Sequence, residues 1–294
     1  LIEKLIHSHP MLEVFSQPFP LLYIESKKRF YKKIEHKEDF AYLNHMFKEN
    51  LYSIEQFSKF LTQDTYSKSE VLQVLLSMKG NKMQSTEIPN PALLCNNIAL
   101  GNIDSILSQL LYKLGQDKSL YIGSKEALNE EYIPFLIESG YKVILIIRDP
   151  RDVLSSMNRG KGELYYGDIR PTLFNIRNWR KSVAYAIEFE DDKNFLLIQY
   201  ENLIENPTDE LNAVFDFLNV GNISAEHFSE TIKDQDGNEW KSNSSFVSKS
   251  NITKDSIGTY KKELDESTVK YIETVAGPEM IYLGYLNSFA NNYE

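Results

Sequence analysis

Residues 142–158 read KVILIIRDPRDVLSSMN. The first part, Lys142 to Arg148, is a continuous β-branched run, which is typical of a strand buried on both faces of a parallel sheet. Arg151 to Asn158 has a helical pattern. Pro150 is favourable in a first helical turn, because its missing N–H would have no partner there. The stretch predicts a strand that delivers an arginine to the sheet edge and a helix that follows at once.

The same alternation continues on both sides of this stretch. Short apolar strands are predicted at Ser119 to Ile122 and at Asn194 to Tyr200, and helices at Glu130 to Ser139 and at Thr172 to Phe189. Strands that alternate with helices indicate a parallel sheet with right-handed crossovers. In such a sheet, ligands bind beyond the carboxyl ends of the strands. We therefore expect an α/β fold.

The remaining patterns are mainly helical. Helices are predicted in residues 1–9, in several segments between Phe30 and Met78, and in 103–114, 206–218 and 266–276. Two stretches are predicted loops: the Pro-broken, aromatic Gln17 to Tyr23 and the polar Asp234 to Asp255. No internal repeat and no clear linker divides the chain. A single domain over residues 1–294 is therefore the simpler interpretation.

Composition limits the function. A hydrophobic content of 42% with 25% charged residues is ordinary for a globular protein. The net charge of −10 argues against nucleic-acid binding, which needs a basic face, so an anionic ligand would require basic residues gathered locally. The single cysteine, Cys95, allows no internal disulfide and suits a reducing compartment, so we expect a cytoplasmic protein. No apolar run reaches the length of a membrane span.

Arg148 is the first candidate for ligand binding. Its guanidinium is a forked, permanently charged donor that suits phosphate. The following helix N-terminus attracts anions by about 0.3–1 kcal/mol when exposed, and Ser156 could add a hydroxyl. Alternatively, Arg148 pairs with Asp149 or Asp152 and only closes the sheet edge. The residues alone leave both interpretations open.

Three ordered motifs resemble those of the PAPS-dependent sulfotransferases, where PAPS is 3′-phosphoadenosine 5′-phosphosulfate. IIRDPRDVLSSM at 146–157 resembles their 3′-phosphate-binding segment. YENLIENP at 200–207 is similar to their strand-end Tyr-Glu-Asp/Asn segment, and KDSIGTYKKEL at 254–264 to their Lys-Gly-x-x-Gly-x-Trp region, with Tyr260 as the aromatic. The resemblance extends over nearly the whole chain. It implies a P-loop-like, three-layer fold with a central parallel sheet flanked by helices.

The resemblance also implies a reaction and a nucleotide site. The chain would transfer a sulfuryl group from PAPS, without a metal, to a hydroxyl or amine of a small-molecule, carbohydrate, lipid or peptide acceptor. Arg148 and Ser156 would hold the 3′-phosphate, and Tyr200 would lie against the adenine, although simple core packing is its alternative. The remaining residues implied for nucleotide binding are Lys254, Gly258, Ser244 and Ser245.

Lys125, just after the strand SLYIG, resembles the family lysine that neutralises charge on the transferring group. Its alternative is a solvent-exposed lysine before a helix. By analogy with phosphoryl transfer, positioning and cationic stabilisation supply most of the rate. A lysine at the carboxyl end of a strand fits that task.

Two features depart from the family pattern. The Ser-Gly-Thr-Thr-like 5′-phosphosulfate loop is absent, and LIEKLIHSHP resembles the helix that follows it, so we expect residues 1–294 to lack the loop and its strand. The family's base positions match Gln17 and Ala127. Glutamine cannot accept a proton but can orient an acceptor.

Loss of a general base typically costs ~10²–10⁴ in rate, so another residue is expected to serve. The candidates are Glu126, His45 and Glu13. Two other functions stay open: a catalytically silent relative that binds nucleotides or partners, which Gln17 and Ala127 motivate, and a nucleotide or small-molecule kinase. The kinase would need an acidic metal site, and the sequence shows no paired acidic signature of that kind.

Overall fold

The computed structural model describes residues 2–35, 53–78, 86, 88, 90–115, 119–159, 171–222 and 254–287. They form an α/β fold, as predicted. The chain divides into two compact units, Leu1–Val143 and Ile144–Glu294. Within the described residues, no helix combines the length and the apolar character that crossing a bilayer requires.

The first unit contains two parallel strands, β1 (Leu12–Ser16) and β2 (Tyr121–Lys125). Ser16 lies opposite Lys125, so both strands end at the same edge. The helices of this unit are α1 (Ile2–His7), α2 (Pro20–Glu35), α3 (Ile54–Gln63), α4 (Lys68–Met78), α5 (Pro91–Leu94), α6 (Ile103–Leu114) and α7 (Ile133–Glu138). A 3₁₀ turn at Glu130–Tyr132 precedes α7.

Aromatic side chains fill the core of this unit. The ring of Phe30 on α2 lies 5.0 Å from that of Phe57 and 5.2 Å from that of Phe60, and Phe57 lies 5.2 Å from Tyr132. All four side chains are buried. Burying one such side chain contributes roughly 1.5–3 kcal/mol. This packing holds α2 and α3 close to the segment that follows β2.

The strands β3 (Val143–Ile147) and β4 (Phe195–Gln199) form a two-stranded sheet. Both lie in the second unit, except for Val143, which is the last residue of the first. The helices of the second unit are α8 (Pro150–Arg159), α9 (Thr172–Phe189), α10 (Tyr200–Glu205), α11 (Pro207–Phe217), α12 (Tyr260–Glu263), α13 (Glu266–Val275) and α14 (Gly277–Tyr282). A 3₁₀ turn spans Lys254–Ser256. Arg148 follows β3 directly, and Tyr200 follows β4 directly.

Most of the strongly patterned elements match their predictions. The helices at Ile103–Leu114 and Thr172–Phe189 have the predicted bounds, and β3 and β4 lie inside the predicted runs. Each residue of β3 except Ile147 is only partly buried, so the expectation of a strand buried on both faces is too strong.

Three predictions near the amino terminus and around β2 need correction. The sequence predicts no strand at β1, α2 begins inside the predicted loop at Pro20, and β2 begins two residues after the predicted strand and ends three residues after it. The parallel pairing of β1 with β2 joins segments far apart in sequence, and local periodicity does not report such pairing. The predicted loop from Asp234 to Asp255 lies almost entirely outside the described residues. The single-domain interpretation stays a prediction.

Candidate functional site

Arg148 lies at the carboxyl end of β3, with 19% of its side chain exposed. Its Nη2 donates a hydrogen bond to the carbonyl oxygen of Ser256 and lies 3.9 Å from Oδ2 of Asp152. The guanidinium carbon lies 4.8 Å from the centre of the Tyr200 ring. Nε is buried and has no hydrogen-bond partner among the described residues. The side chain therefore keeps donor capacity that its present contacts do not use.

Tyr200 joins Arg148 to the same carboxy-terminal segment. Its hydroxyl is hydrogen-bonded to Oγ of Ser256 at 2.7 Å, and its ring carries the Arg148 guanidinium. Such a cation–π contact contributes about 0.5–1 kcal/mol at an exposed site and more when desolvated. The structure thus brings together Arg148, Tyr200 and the turn at Lys254–Ser256, whose first residue, Lys254, is exposed.

Asp152 fixes the backbone that follows this turn. The residue is 1% exposed. Its Oδ2 accepts the N–H of Gly258 at 2.7 Å, and its Oδ1 accepts the hydroxyl of Thr259 at 2.9 Å and the N–H of Tyr260 at 3.0 Å. Gly258 has a φ of +72°, in the left-handed region that favours glycine. The left-handed conformation of Gly258 therefore turns the chain so that this segment can donate hydrogen bonds to Asp152.

Sequence reasoning missed this role of Asp152, which it considered only as a partner of Arg148. The signal that could have found it is the position of Asp152 within the first turn of α8, in the same motif as Arg148. A carboxylate there can accept N–H groups from a second segment as readily as it can pair with an arginine.

Asp149 has a different partner from the one considered in the sequence. Its carboxylate receives Nε and Nη2 of Arg151 at 3.0 and 2.6 Å, and Arg151 also contacts Glu273 at 2.6 Å. Asp149 Oδ1 also accepts the backbone N–H of Arg151, which is the first N–H of α8 because Pro150 has none. The amino terminus of α8 is therefore partly capped by protein, which leaves fewer of its N–H groups for an anion than the sequence alone predicts.

Of the three serines expected to contact the nucleotide, the structure describes only Ser156. Ser156 lies on α8, one helical turn after Asp152 and on the same face. It is partly buried, and its neighbour Ser155 lies 3.4 Å from the Thr259 hydroxyl. Ser244 and Ser245 lie outside the described residues.

Lys125 and Gln17 lie together in the first unit. The backbone N–H of Gln17 donates to the carbonyl oxygen of Lys125 at 2.8 Å, which extends the parallel pairing of β1 and β2 by one residue. Gln17 has a φ of +43°, so the chain turns there in a left-handed conformation. Both side chains are partly exposed at the carboxyl edge of the two strands.

Glu126 follows Lys125 and is enclosed by protein. Both carboxyl oxygens are buried, and neither accepts a well-formed hydrogen bond from the described residues, the Phe19 backbone giving only a weak one. Burial raises the pKa of Glu126 to about 8, against the opposing influence of the Lys125 ammonium, the Phe19 backbone and, last, Lys27. Of the other base candidates, Glu13 is buried on β1 and His45 lies outside the described residues.

Lys27 of α2 contacts the segment that follows Glu126. Its Nζ lies 2.7 Å from Oε1 of Glu131, and both side chains are almost fully buried. It also donates to Oδ1 of Asn129 at 2.8 Å and to the carbonyl oxygen of Leu128 at 3.3 Å. Leu128 has a φ of +61°, so Lys27 holds a strained turn directly beyond the candidate catalytic residues. Across the described residues, no cluster of three or more His, Cys, Asp and Glu side chains could hold a metal ion.

Comparison with protein families identifies one match. The family model for the sulfotransferase domain matches residues 131–284, just over half of the chain. That range contains β3, β4, Arg148, Ser156, Tyr200 and the segment from Lys254. No curated protein matches the sequence significantly.

Solved structures give a second comparison. The sulfotransferase domain from the curacin biosynthetic pathway aligns with 94% of this chain and 92% of its own, at 14% identity and a TM-score of 0.52, which shows a shared fold. Mouse sulfotransferase SULT7A1 complexed with PAP aligns with 62% of this chain and 72% of its own, at 18% identity and a TM-score of 0.40. Retinol dehydratase in complex with androsterone and PAP aligns with 95% and 85%, at 15% identity and a TM-score of 0.37.

Proposed function

The chain belongs to the sulfotransferase domain family, and from that premise we propose that it transfers a sulfuryl group from PAPS to a hydroxyl or amine of an acceptor. The observation that carries the proposal is the arrangement around Arg148. A guanidinium at the end of β3 lies over Tyr200 and contacts the segment from Lys254, so all three of the motifs identified in the sequence meet at one place.

The residues of the second unit suit a ribose-linked phosphate. The whole chain is acidic, with a net charge of −10, yet this edge of the sheet offers Arg148 and the exposed Lys254 as cations. Arg148 has five N–H donors, one of which bonds to Ser256, and its side chain is partly exposed, so other donors can still reach a ligand. A charge-assisted, forked contact to phosphate would use that capacity.

Each nucleotide-binding residue then has a distinct task in the proposal. Arg148 and the Ser156 hydroxyl hold the 3′-phosphate, with Lys254 adding a second charge. Tyr200 presents its aromatic ring to the adenine. Gly258 shapes the segment through its left-handed backbone and does not need a side chain. Ser244 and Ser245 contribute hydroxyls to the nucleotide.

The donor supplies an activated sulfuryl group: the bond from sulfur to its 5′-phosphate oxygen breaks and PAP leaves, a bond from sulfur to the acceptor oxygen or nitrogen forms, and the acceptor proton is released to solvent. Lys125 provides positive charge where negative charge develops during transfer. Gln17 orients the acceptor through its amide, because it cannot take the proton itself. The acceptor is a small molecule, carbohydrate, lipid or peptide, and we propose a cytoplasmic location for the protein.

Isothermal titration calorimetry with PAP tests the nucleotide site. We expect the chain to bind PAP, and Arg148→Ala to weaken binding by at least tenfold, because a hydrogen bond to a charged group contributes about 1.5–3 kcal/mol. The control is Arg180→Ala, since Arg180 pairs with Glu279 near the surface and has no role in the proposal. No binding of PAP, or equal binding by both variants, contradicts the proposal.

Turnover distinguishes an enzyme from a catalytically silent relative. Incubation with ³⁵S-labelled PAPS and a panel of acceptors (4-nitrophenol, glucosamine, a tyrosine peptide and a 3-hydroxyacyl thioester) should give a labelled product. The silent alternative is favoured by Gln17 and Ala127, which leave both usual base positions without a base. Tight binding of PAP with no labelled product from any of these acceptors would favour that alternative.

A further inference from the structure

Glu126 is a buried carboxyl group that the proposed transfer does not use. It stands between Lys125, at the end of β2, and the strained turn at Leu128. Both of its oxygens are sealed from solvent and accept no well-formed hydrogen bond from the described residues, the Phe19 backbone giving only a weak one. A buried carboxylate with so little hydrogen bonding is costly, so such a group tends to stay protonated instead.

Few charged or titratable groups face this carboxyl. The charged groups that influence its ionisation are the Lys125 ammonium at the end of β2 and Lys27 on α2, and the phenol of Tyr23 on α2 is influenced by it in turn. Lys27 is already engaged by Glu131, Asn129 and the carbonyl of Leu128. Burial, and then the neighbouring Glu126, raises the pKa of Tyr23, so that phenol stays neutral. Lys125 is therefore the cation whose electrostatic effect changes most when Glu126 ionises.

We propose that Glu126 is a positioning residue for Lys125, and that only its neutral form leaves the Lys125 charge fully available to the transferring group. The proposal rests on the proposed function. When Glu126 ionises, a negative charge arises on the residue next to Lys125, at oxygens that are shielded from water, and charges interact more strongly in such surroundings than in water. That carboxylate offsets the field of the ammonium and weakens its stabilisation of the developing negative charge.

The burial of Glu126 sets the pH at which this change occurs. Its pKa of about 8 means that the carboxyl is mainly neutral at pH 7 and mainly ionised at pH 9. Glutamine has a similar shape and stays neutral at every pH. Glu126→Gln therefore mimics the active, protonated form throughout the pH range, and the comparison of the two proteins isolates the ionisation.

The kinetic test compares kcat of Glu126→Gln with that of the unmodified chain from pH 6 to 9.5, with ³⁵S-labelled PAPS and 4-nitrophenol or whichever panel acceptor reacts faster. We expect a variant-to-unmodified ratio near 1 at low pH that rises through pH 8 to about tenfold, the effect of roughly 1.4 kcal/mol on a barrier. The control is Glu138→Gln, at an exposed position on α7, whose ratio should stay constant. A constant ratio for Glu126→Gln overturns the proposal.

A second pair of variants tests whether the effect passes through Lys125. In a Lys125→Met background, Glu126→Gln should no longer change the pH profile of the residual turnover, because the charge on which Glu126 acts is gone. If the pH-dependent ratio persists in that background, Glu126 acts by another route and the proposal fails.

Thermal unfolding separates failure of this inference from failure of the proposed function, because it needs no substrate. The gain in melting temperature from Glu126→Gln should grow between pH 5 and pH 8. If this gain in melting temperature does not increase, Glu126 does not titrate between pH 5 and pH 8. That result overturns the inference but leaves the proposed sulfuryl transfer intact. If the gain in melting temperature rises with pH as expected but no acceptor gives a labelled product, the proposed function is refuted. The link to Lys125 is refuted with it.

Discussion

At the scale of single residues, Asp152 should contribute more to the free energy of unfolding than an aspartate at an exposed position. Asp152→Ala leaves the donors of Gly258, Thr259 and Tyr260 without their acceptor, and each such loss costs about 1–3 kcal/mol when the donor is buried. Because those donors are only partly buried, we expect a loss of roughly 2–4 kcal/mol in the free energy of unfolding. Urea denaturation measures it. The matched control is Asp216→Ala, on the exposed face of α11, and equal losses would contradict this role.

Glu126 should make stability depend on pH in an unusual direction for a carboxyl group. Its pKa is raised from 4.5 to about 8 in the folded state, so between these values the folded protein holds a proton that the unfolded chain has released. Stability therefore falls as pH rises through this window and changes no further above it. Relative to Glu126→Gln, we expect a deficit of about 2–4 kcal/mol at pH 8 that vanishes near pH 4. Urea denaturation of both proteins at several pH values checks the sign.

At the scale of elements, the segment from Lys254 to Tyr260 depends on the backbone of Gly258. An added Cβ at Gly258 meets no atom within 4 Å, so the cost of Gly258→Ala comes from the left-handed φ of +72°. That cost is about 1–2 kcal/mol. We expect this loss in the free energy of unfolding and a weaker affinity for PAP, measured by denaturation and calorimetry.

Gly221→Ala is the matched control for this segment. An added Cβ at Gly221 also meets no atom within 4 Å, but its φ lies outside the left-handed region. If both alanine variants lose the same stability and keep the same affinity for PAP, the left-handed turn is not what shapes the segment.

At the scale of the whole molecule, the single-domain interpretation predicts one cooperative transition for residues 1–294. The helices of both units contribute to far-ultraviolet circular dichroism, whereas Trp179 reports on the second unit, where its indole N–H bonds to the carbonyl of Arg148. In a Trp240→Phe variant, the urea midpoints from dichroism and from fluorescence should coincide. Separate midpoints would show that the two compact units unfold independently.

Local pattern predicted much of the fold but only part of the site. The helix at Thr172–Phe189 and the strand at Phe195–Gln199 were predicted because periodicity and β-branched runs express the burial of one segment at a time. The hydrogen bonds from residues 258–260 to Asp152 were not predicted, because they join residues more than a hundred positions apart. The positions of Ser244, Ser245 and His45 stay predictions, since they lie outside the described residues.

By itself, the sequence determined the α/β class, the order of the motifs and the residues that carry charge and hydroxyl groups, since each of these is a property of a short stretch of chain. Only the tertiary structure decided that Arg151 takes the carboxylate of Asp149, that Arg148 lies over Tyr200, and that the carboxyl oxygens of Glu126 are sealed from solvent. The reason is physical. Partners and pKa values depend on which distant groups packing brings within a few ångströms and on how much water it removes, and neither is encoded in neighbouring residues.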